Sequence, residues 1–409
     1  MAYDSDILIV GGGLNGPALA LALADGGFSV TVVDAQPEGA RAGAGFDGRG
    51  YALALASQRL LGAIGIWGAV ADKAQPILEV KVTDGRAGEG PLSPFMLHFD
   101  HAEIEEGPMG YMLEDRFLYA SFLKAMKTHP NVTHLAGEIV TDQLVEDMGI
   151  AVTLASGKQL SARLLVGSDG RKSGTAERAG IRRTGWGYGQ TALVCAIEHE
   201  KPHNGIAHQF FMPPGPLAIL PLPGNRSSIV WSETDIEAKR IKALNDAEFL
   251  EELRPRFGDF LGDIKLLGAR FSYPLTLTLA NSFFAERLAL IGDAAHGVHP
   301  IAGQGLNLGL RDVAALAEVL IEAKRRGEDI GAADVLDRYQ RWRRWDTTTL
   351  ALATDGFNRL FSNDSGLLRL VRDVGLGAVN AIPGLRRKFI REAAGLTGDL
   401  PKLMQGRQI

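Results

Sequence analysis

Residues 6–34 read DILIVGGGLNGPALALALADGGFSVTVVD, and this stretch decides the fold. Residues 6–10 are typical of a buried parallel strand, residues 17–25 of an alanine- and leucine-rich helix, and residues 29–33 of a second strand. A strand, a glycine-rich turn, a helix and a strand within about 30 residues form a βαβ unit. We therefore predict an α/β protein whose doubly wound parallel sheet begins at the N-terminus.

The turn after the first strand carries glycines in the spacing G-x-G-x-x-G. Gly11 permits the tight turn, Gly13 lets a pyrophosphate approach the backbone, and Gly16 lets helix and strand pack closely. Asp34, at the end of the second strand, would accept hydrogen bonds from a ribose. A glycine-rich turn without a ligand is the alternative. We predict a dinucleotide in contact with Gly11, Gly13, Leu14, Asn15, Gly16 and Asp34.

Composition excludes several classes of protein. A formal net charge of −5 over 409 residues argues against a nucleic-acid partner. The single cysteine, Cys195, excludes an intrachain disulfide and a multi-cysteine metal site, which fits a reducing compartment. The N-terminal apolar run is far shorter than the about 20 residues that span a bilayer, and no basic segment precedes it. We expect a cytoplasmic protein that acts on a small molecule.

The rest of the chain contains a second sheet and further pieces of the first one. Alternating apolar and polar residues predict antiparallel strands over 77–99 and 190–231. A helical pattern covers 117–127, and 132–154 is typical of a β-meander. Two more buried parallel strands are expected at residues 164–167 and 288–292, and helices are expected after residue 345.

A second motif begins in the last of these strands. Residues 290–296 read LIGDAAH, and they are followed by His299, Pro300 and the run AGQGLN at 302–307. This segment resembles the second FAD fingerprint of the p-hydroxybenzoate hydroxylase class, the group A flavoprotein monooxygenases. The resemblance implies that Asp293 bonds the FAD ribitol and that a glycine-rich turn lies beside the isoalloxazine ring. The turn residues carried over are Pro300, Gly303, Gly305, Leu306 and Asn307.

Other readings of this segment are less favoured. A strand-to-helix turn without a ligand is the simplest of them. His296 and His299 could also suggest a metal site. We predict no metal there, because no carboxylate–histidine helix pattern accompanies them.

A third motif, VGSDGRKS at 166–173, resembles the segment of the same class that lies near FAD and the entering nicotinamide. The resemblance makes Asp169 a cofactor-site residue, and a helix N-cap or a turn residue is its alternative role. The class usually has an arginine where this chain has Ala176. Arg171 or Arg178 could compensate.

Two arginines are carried over from further matches. FDGR at 46–49 is similar to the segment whose arginine reaches the FAD pyrophosphate, which assigns that role to Arg49. YMLEDR at 111–116 is similar to the segment before a helix that flanks FAD, which makes Arg116 a candidate. A surface salt bridge for Arg49 and a helix-end charge for Arg116 are the alternatives.

Residues 214–223, 228–231 and 303–312 narrow the resemblance to the FAD-dependent hydroxylases of ubiquinone biosynthesis. That resemblance implies a Rossmann-type FAD-binding domain interleaved with an antiparallel-sheet substrate domain and followed by a helical C-terminus. The expected FAD-binding domain comprises 1–74, 111–183 and 275–345. The substrate domain comprises 75–110 and 184–274, and the helical region comprises 346–409.

The implied reaction is hydroxylation of the aromatic ring of a polyprenylphenol. NADPH or NADH reduces FAD, O2 adds to form a flavin C4a-hydroperoxide, and its terminal oxygen attacks the ring. The sequence identifies no catalytic residue of the protein itself. The alternatives are a hydroxylase of a small soluble phenol or polycyclic metabolite, and a flavin-binding redox or assembly protein that does not hydroxylate.

A lipidic substrate implies peripheral contact with the inner face of the membrane or with other ubiquinone-biosynthesis proteins. Residues 367–389 mix apolar and basic residues, which would suit an anionic membrane surface. A solvated helix face and a homo-oligomer contact are the alternatives for this region.

Overall fold

The computed structural model describes residues 3–41, 43, 48–84, 96–298, 304–361 and 382–409. The strands are, in chain order, β1 (Ser5–Val10), β2 (Val30–Asp34), β3 (Gly50–Ala54), β4 (Gln75–Ile77), β5 (Glu79–Asp84), β6 (Leu97–Asp100), β7 (Gly110–Glu114), β8 (Val132–Ala136), β9 (Val140–Glu146), β10 (Gly149–Leu154), β11 (Gln159–Gly167), β12 (Arg183–His199), β13 (Ile206–Phe211), β14 (Leu217–Leu222), β15 (Arg226–Thr234), β16 (Ile264–Ala280), β17 (Phe284–Ala285), β18 (Leu288–Leu290) and β19 (His296–Gly297). The helices are α1 (Asn15–Asp25), α2 (Leu55–Ala63), α3 (Asp115–Thr128), α4 (Gly174–Arg178), α5 (Asp235–Lys242), α6 (Asp246–Phe257), α7 (Gln304–Arg325), α8 (Ala333–Phe361) and α9 (Pro383–Ala393).

The first sheet confirms the predicted fold class. Its strand order is β17-β18-β11-β1-β2-β8, and β1 pairs in parallel with both β11 and β2. All five residues of β2 and nearly all residues of α1 are buried, because a parallel sheet is covered by helices. Strands from three separate stretches of the chain therefore build one sheet, as the sequence predicts.

Two predicted strands differ from the structure. The β-meander expected over 132–154 is wrong in its first strand, because β8 pairs in parallel with β2. β8 follows the crossover helix α3, and such a connection returns the chain parallel to its neighbour. The meander instead consists of β9, β10 and β11. The strand expected over 288–292 ends at Leu290, because Gly292 adopts a φ of 59° and begins a short 3-10 turn.

A second sheet has the order β19-β16-β12-β15-β14-β13-β5-β6. It is antiparallel except for the β13–β5 pair, and β12 and β16 are its longest strands with 17 residues each. One of its faces packs on α5 and α6 through a buried cluster that includes Trp231, Leu253 and Phe257. Residues of the other face, such as Ala196 and Leu222, join the main core that surrounds the first sheet.

A small sheet of β3, β7 and β4 lies beside α2 and α3, and helices α7 and α8 pack near α1 and β17. The predicted division into domains stays a prediction, and α8 runs through its last boundary at 345. Among the described residues, no helix combines the length and apolarity that a bilayer crossing needs.

Candidate active site

The glycines of the first turn differ in how much space surrounds them for a side chain. Gly11 has a φ of 113°, and a Cβ there would lie 2.3 Å from the Ser168 carbonyl oxygen. A Cβ on Gly16 would lie 2.0 Å from the Gly11 oxygen. A Cβ on Gly13 would meet no atom within 4 Å. Gly11 and Gly16 are therefore required because neighbouring backbone atoms leave no room for a side chain. Gly13 instead faces the open side of the turn, where a ligand can approach.

Helix α1 begins directly after this turn. No side chain caps its first N–H groups, and no acidic residue lies in its first turn. Such a helix start attracts phosphate through its N–H groups and its dipole. The turn and the helix together therefore fit a pyrophosphate.

Asp34 is buried at the carboxyl end of β2. Its Oδ1 accepts a hydrogen bond of 3.1 Å from the Gln36 N–H. A Cβ on Gly12 would lie 2.3 Å from Asp34 Oδ2, so the middle glycine, to which the sequence analysis gave no role, makes room for the carboxylate.

Two buried polar atoms near Asp34, Tyr119 Oη and His134 Nε2, have no hydrogen-bond partner among the described residues. Burial raises the pKa of Tyr119 and lowers that of His134, and the negative charge of Asp34 acts to raise the pKa of both groups. Buried polar atoms normally have partners. The two atoms fit a bound group that offers polar atoms of its own, as the adenosine end of FAD does.

Asn15 connects the first motif to the second. A Cβ on Gly292 or on Gly309 would lie 2.3 Å from Asn15 Nδ2, so both glycines make room for this side chain. Asn15 Oδ1 is buried and has no hydrogen-bond partner among the described residues. This oxygen fits a ligand hydroxyl group, because an amide oxygen only accepts hydrogen bonds.

Arginines join the second and third motifs. Arg171 Nε donates to Asp293 Oδ2 over 3.0 Å, and both side chains remain about two-fifths exposed. Arg183 donates to the Ala294 carbonyl oxygen over 2.8 Å and to the Arg171 carbonyl oxygen. Burial lowers the pKa of Arg183. The structure therefore brings Asp293 to the third motif, and the clamp by Arg183 had no signal in the sequence.

The Asp169 carboxylate accepts hydrogen bonds from residues at the start of α4, whereas the N-cap itself is Ser173. Its Oδ2 accepts from the Thr175 N–H and hydroxyl over 3.0 and 2.9 Å, and its Oδ1 accepts from the Ser173 hydroxyl. Ser173 in turn caps α4 by accepting from the Ala176 N–H over 3.0 Å. The Asp169 carboxylate thus stabilises the start of α4.

The two arginines considered as substitutes for the missing one lie apart. Arg178 Nε donates to Gln143 Oε1 over 3.2 Å, whereas Arg171 reaches the second motif through Asp293. Ala176 itself is buried. Arg171 is therefore the better placed of the two to act at the cofactor site.

The side-chain amide of Asn307 forms hydrogen bonds with other residues of the protein. Its Oδ1 accepts from the Ala54 N–H over 2.8 Å and from the Ser57 hydroxyl over 2.7 Å, and its Nδ2 donates to the Ala52 oxygen over 2.8 Å. The amide thus ties α7 to β3 and α2.

The neighbouring residues of the second motif differ from Asn307 in their surroundings. A Cβ on Gly305 would meet no atom within 4 Å, and Leu306 is half-buried. The predicted cofactor residues Pro300 and Gly303, like His299, lie outside the described residues.

The two arginines carried over from the family matches, Arg49 and Arg116, each lie beside an aromatic ring. The Arg49 guanidinium is 5.8 Å from the Phe271 ring centre, on the second sheet. Arg116 Nε donates to Glu114 Oε2 over 2.8 Å, and the Arg116 guanidinium stands 4.4 Å from the Phe117 ring centre. Arg116 thus forms an ion pair near the start of α3, and its role in cofactor binding stays a prediction.

A further arginine, which the sequence analysis did not single out, lies in the same region. Arg41 donates through Nε to Asp115 Oδ2 over 3.2 Å and also bonds the other carboxylate oxygen. Its Nη2 lies 3.3 Å from the Tyr51 hydroxyl. Paired donors of this kind are typical of an arginine that holds a loop in place.

A buried ionic cluster supports the turn of the second motif. Asp312 Oδ2 accepts from the Gly292 N–H over 2.9 Å and lies 2.5 Å from His296 Nε2. Arg343 Nε donates to Asp312 Oδ1 over 2.8 Å and Arg343 Nη1 to Asp346 over 3.1 Å. Burial by itself would raise the pKa of Asp312, but His296 and Arg343 hold that pKa below its ordinary value. The cluster therefore contains a carboxylate that is ionised at neutral pH.

The sequence pointed to the segment that contains one member of this cluster, but not to the cluster itself. Asp312 ends the stretch 303–312 that carried the family resemblance, but its role was not recognised. Arg343 stands on α8, and nothing in the sequence pairs it with Asp312.

The second sheet presents a continuous row of side chains on the face opposite α5 and α6. Cross-strand pairing aligns Gln209, Ala218, Val230, Val194 and Phe271 across five strands. All five are half-buried, four are apolar and none is charged. We call these five residues the Val230 row.

The Val230 row faces the loop that carries Arg49. A Cβ on Gly48 would lie 3.5 Å from a ring carbon of Phe271, at one end of the row. Phe271, at this end of the row, therefore lies beside both Gly48 and Arg49. Among the described residues, no group of three or more His, Cys, Asp or Glu side chains is placed to hold a metal ion.

Known proteins resemble the chain over almost its full length. A family model described as an FAD binding domain matches residues 4–351. The ubiquinone hydroxylase UbiL of Rhodospirillum rubrum is 48% identical over 98% of this chain and 93% of its own. The 3-demethoxyubiquinol 3-hydroxylase of Escherichia coli is 35% identical over 96% of this chain and 99% of its own.

A solved structure supports the fold. The p-nitrophenol 4-monooxygenase PnpA of Pseudomonas putida superposes with a TM-score of 0.80 at 20% identity, covering 97% of this chain and 99% of its own. The three motifs, the two sheets and these relatives agree. The chain belongs to the FAD-dependent ubiquinone-biosynthesis hydroxylase family, within the group A flavoprotein monooxygenases.

Proposed function

We propose that the protein hydroxylates the aromatic ring of a polyprenylphenol intermediate of ubiquinone biosynthesis. NADPH or NADH would supply the electrons and O2 the inserted oxygen atom. The observation that carries the proposal is the 48% identity, over nearly the whole chain, to a protein named a ubiquinone hydroxylase. The geometry of the site agrees with this reaction in two respects.

First, the residues of the motifs fit FAD by their own chemistry. The open side at Gly13 and the uncapped start of α1 suit the pyrophosphate, and Asp34 suits the adenosine ribose. We assign Asp293 to the ribitol hydroxyls, with Arg171 and Arg183 holding its turn. FAD, when bound, supplies the redox chemistry by accepting a hydride and activating O2.

Second, the Val230 row suits a lipidic phenol better than a charged substrate. Its apolar side chains would exclude water from the reacting ring, and they provide no cation that would hold a substrate carboxylate. Gln209 is the polar member of the row and could hydrogen-bond a phenol. We therefore propose that the ring lies on the Val230 row, opposite the loop of Arg49.

The test is anaerobic reduction of the bound flavin by NADPH and by NADH, with and without a short-chain polyprenylphenol, followed by addition of oxygen and mass analysis of the product. We expect flavin bleaching and a product heavier by one oxygen atom, with the second oxygen atom released as water. Peroxide without a hydroxylated product would refute the substrate assignment and favour a small soluble phenol. Flavin that neither nicotinamide reduces would favour another electron donor or a non-hydroxylating role, and the departure at Ala176 would then be the first position to study.

A variant tests the Val230 row directly. Val194→Phe adds bulk within the row, between Val230 and Phe271, so kcat/KM for the polyprenylphenol should fall about tenfold, as for the loss of one good apolar contact. FAD content and the urea midpoint serve as controls, because Val194 is half-buried and belongs to β12, outside the three cofactor motifs. An unchanged kcat/KM would show that the substrate lies elsewhere.

A further inference from the structure

Strand β9 lies at an edge of the first sheet. It pairs with β10 along one side, and no other described strand pairs with it. Apart from that pairing, residues 141–146 make no backbone–backbone hydrogen bond with any residue that the structure describes. Such an edge presents N–H and C=O groups at the spacing of a sheet, so an extended segment can join it as a further strand.

The segment around β9 also exposes large apolar side chains. Ile139, Leu144, Val145 and Met148 are all exposed, and Leu144 is the most exposed of them at 65%. No other stretch of ten residues in the described part of the chain exposes as many large apolar side chains. Exposed apolar side chains that lie this close together are typical of an interaction surface.

The two faces of β9 differ in what covers them. Side chains alternate between the faces of a strand, so Asp142, Leu144 and Glu146 share one face, and all three are exposed. Gln143, on the other face, accepts a hydrogen bond of 3.2 Å from Arg178 of α4. The face of Leu144 therefore stays open, with a carboxylate two residues before Leu144 and another two residues after it.

The carboxylates decide which partner fits this edge. No ion pair joins Asp142, Glu146 or the neighbouring Asp147 to a described residue. A second copy of this chain would bring its own carboxylates to the same edge, where the like charges repel. A segment with a lysine or arginine opposite each carboxylate and an apolar residue opposite Leu144 pairs these charges and covers the leucine.

We propose that β9 binds an extended segment of a partner protein whose residues follow the order basic-x-apolar-x-basic. The main chain of the partner pairs with the free side of β9, and its side chains contact Asp142, Leu144 and Glu146. We call the free side of β9 with these three residues the β9 edge. The inference goes beyond the proposed reaction and does not depend on it, because β9 lies outside the three cofactor motifs.

The test uses a labelled, end-capped peptide of the sequence Thr-Lys-Thr-Val-Thr-Lys-Thr as the probe. Its binding to the FAD-loaded full chain is measured by fluorescence anisotropy. Binding should be saturable and should weaken as salt rises, because the ion pairs that it forms are exposed. A second peptide has the same side chains but a methyl group on every backbone nitrogen, so it cannot donate to a sheet edge. Its binding should be weaker at least about tenfold.

Two variants separate the apolar contribution from the ionic one. Leu144→Thr keeps a residue that favours strands but removes apolar surface, so it should weaken peptide binding about tenfold. Asp142→Asn with Glu146→Gln should also weaken binding about tenfold at low salt, since two exposed ion pairs are lost. This double variant should in addition lose most of the salt dependence.

Ile236 offers a matched control. It is 85% exposed and flanked by the acidic Asp235 and Glu237, but it lies on helix α5, which has no sheet edge to offer. Ile236→Thr makes the same kind of replacement as Leu144→Thr and should leave peptide binding unchanged. Retained FAD and an unchanged circular dichroism spectrum confirm that each variant is folded.

Four results would overturn the proposal. The peptide shows no saturable binding up to about 1 mM, or the N-methylated peptide binds as tightly as the first one. Both β9 variants bind the peptide as the wild type does, which would place the peptide elsewhere on the protein. Lastly, sedimentation velocity shows a dimer that Leu144→Thr dissociates, which would assign the β9 edge to a second copy of this chain.

Discussion

Replacement of Asp312 by asparagine tests the ionic cluster beneath the second motif. All the partners of this fully buried carboxylate are donors, namely the Gly292 N–H, His296 Nε2 and Arg343 Nε, at 2.9, 2.5 and 2.8 Å. An asparagine amide has one acceptor oxygen and one donor NH2 group. Whichever way the amide turns, its NH2 group faces a donor, and Arg343 loses its fully buried counter-charge.

The magnitude follows from this loss. Removal of one partner of a buried ion pair costs about 3–5 kcal/mol, because the other charge stays buried without compensation. Arg343 retains Asp346, which is 27% exposed, so the lower end of this range is the expected loss in free energy of unfolding. A natural domain has about 5–15 kcal/mol in total, so the variant should be markedly less stable. In the orientation that turns the amide oxygen to Arg343, the Gly292 N–H loses its acceptor, and FAD affinity should then fall as well.

The assay is urea unfolding of the FAD-loaded protein, followed by circular dichroism and by flavin fluorescence. Asp337→Asn is the matched control, because Asp337 pairs with Arg341 at 2.5 Å on the same helix as Arg343 but at the surface. Its loss should cost less than about 1 kcal/mol. A loss for Asp312→Asn as small as that of the control, with FAD affinity intact, would refute the supporting role of the cluster.

The pH dependence has a defined sign. The pKa of folded Asp312 lies below its ordinary value, so its contribution to stability is fully present above the pKa of the unfolded carboxyl group. The contribution is lost as the pH falls through the lower folded pKa. The difference in free energy of unfolding between wild type and Asp312→Asn should therefore stay constant from pH 7 to about pH 5 and narrow in more acidic solution. A difference that widens on acidification would contradict this sign.

Three further predictions concern the motifs. Gly13→Ala should leave the free energy of unfolding of the apoprotein nearly unchanged and weaken FAD binding at least about tenfold. Gly11→Ala should instead lower the free energy of unfolding in urea by about 2 kcal/mol or more, because Gly11 has a φ of 113° and its Cβ would contact Ser168. Equal effects of the two variants on stability would contradict the conclusion that Gly13 faces the open side of the turn. Asn307→Ala should cost about 2–3 kcal/mol in urea unfolding, since two buried polar groups and one half-buried carbonyl lose their partner, and a loss below about 1 kcal/mol would argue against the role of Asn307 in joining α7 to β3 and α2. Arg171→Gln should slow anaerobic flavin reduction by NADPH about tenfold in stopped-flow measurements while FAD stays bound, and an unchanged rate would remove Arg171 from the nicotinamide site.

The sequence was most informative where the physical requirement is local. The tight turn at Gly11 and the close packing at Gly16 depend on a few consecutive residues, and a left-handed φ or a missing Cβ leaves a visible glycine. The buried strands on either side are apolar throughout, because helices cover a parallel sheet. These local signals were sufficient to predict the βαβ unit, the doubly wound sheet and the dinucleotide cofactor.

The sequence was less informative about what individual polar side chains do. Asp169 lies in the expected motif, but its carboxylate is taken up by Ser173 and Thr175. The Asn307 amide likewise hydrogen-bonds residues of β3 and α2. A motif predicts the path of the backbone more securely than the partner of each side chain, because a hydrogen bond depends on distances of tenths of an ångström.

Only the tertiary structure decided which distant residues meet. The pairing of Asp312 with Arg343, the position of Asn15 against Gly292 and Gly309, and the alignment of the Val230 row all join separate stretches of the chain. The sequence by itself determined the fold class and the cofactor motifs, whose rules act over a few residues. The tertiary structure determined the ionic cluster around Asp312 and the alignment of the Val230 row, because strand register and helix packing place those residues together and no local pattern encodes that placement.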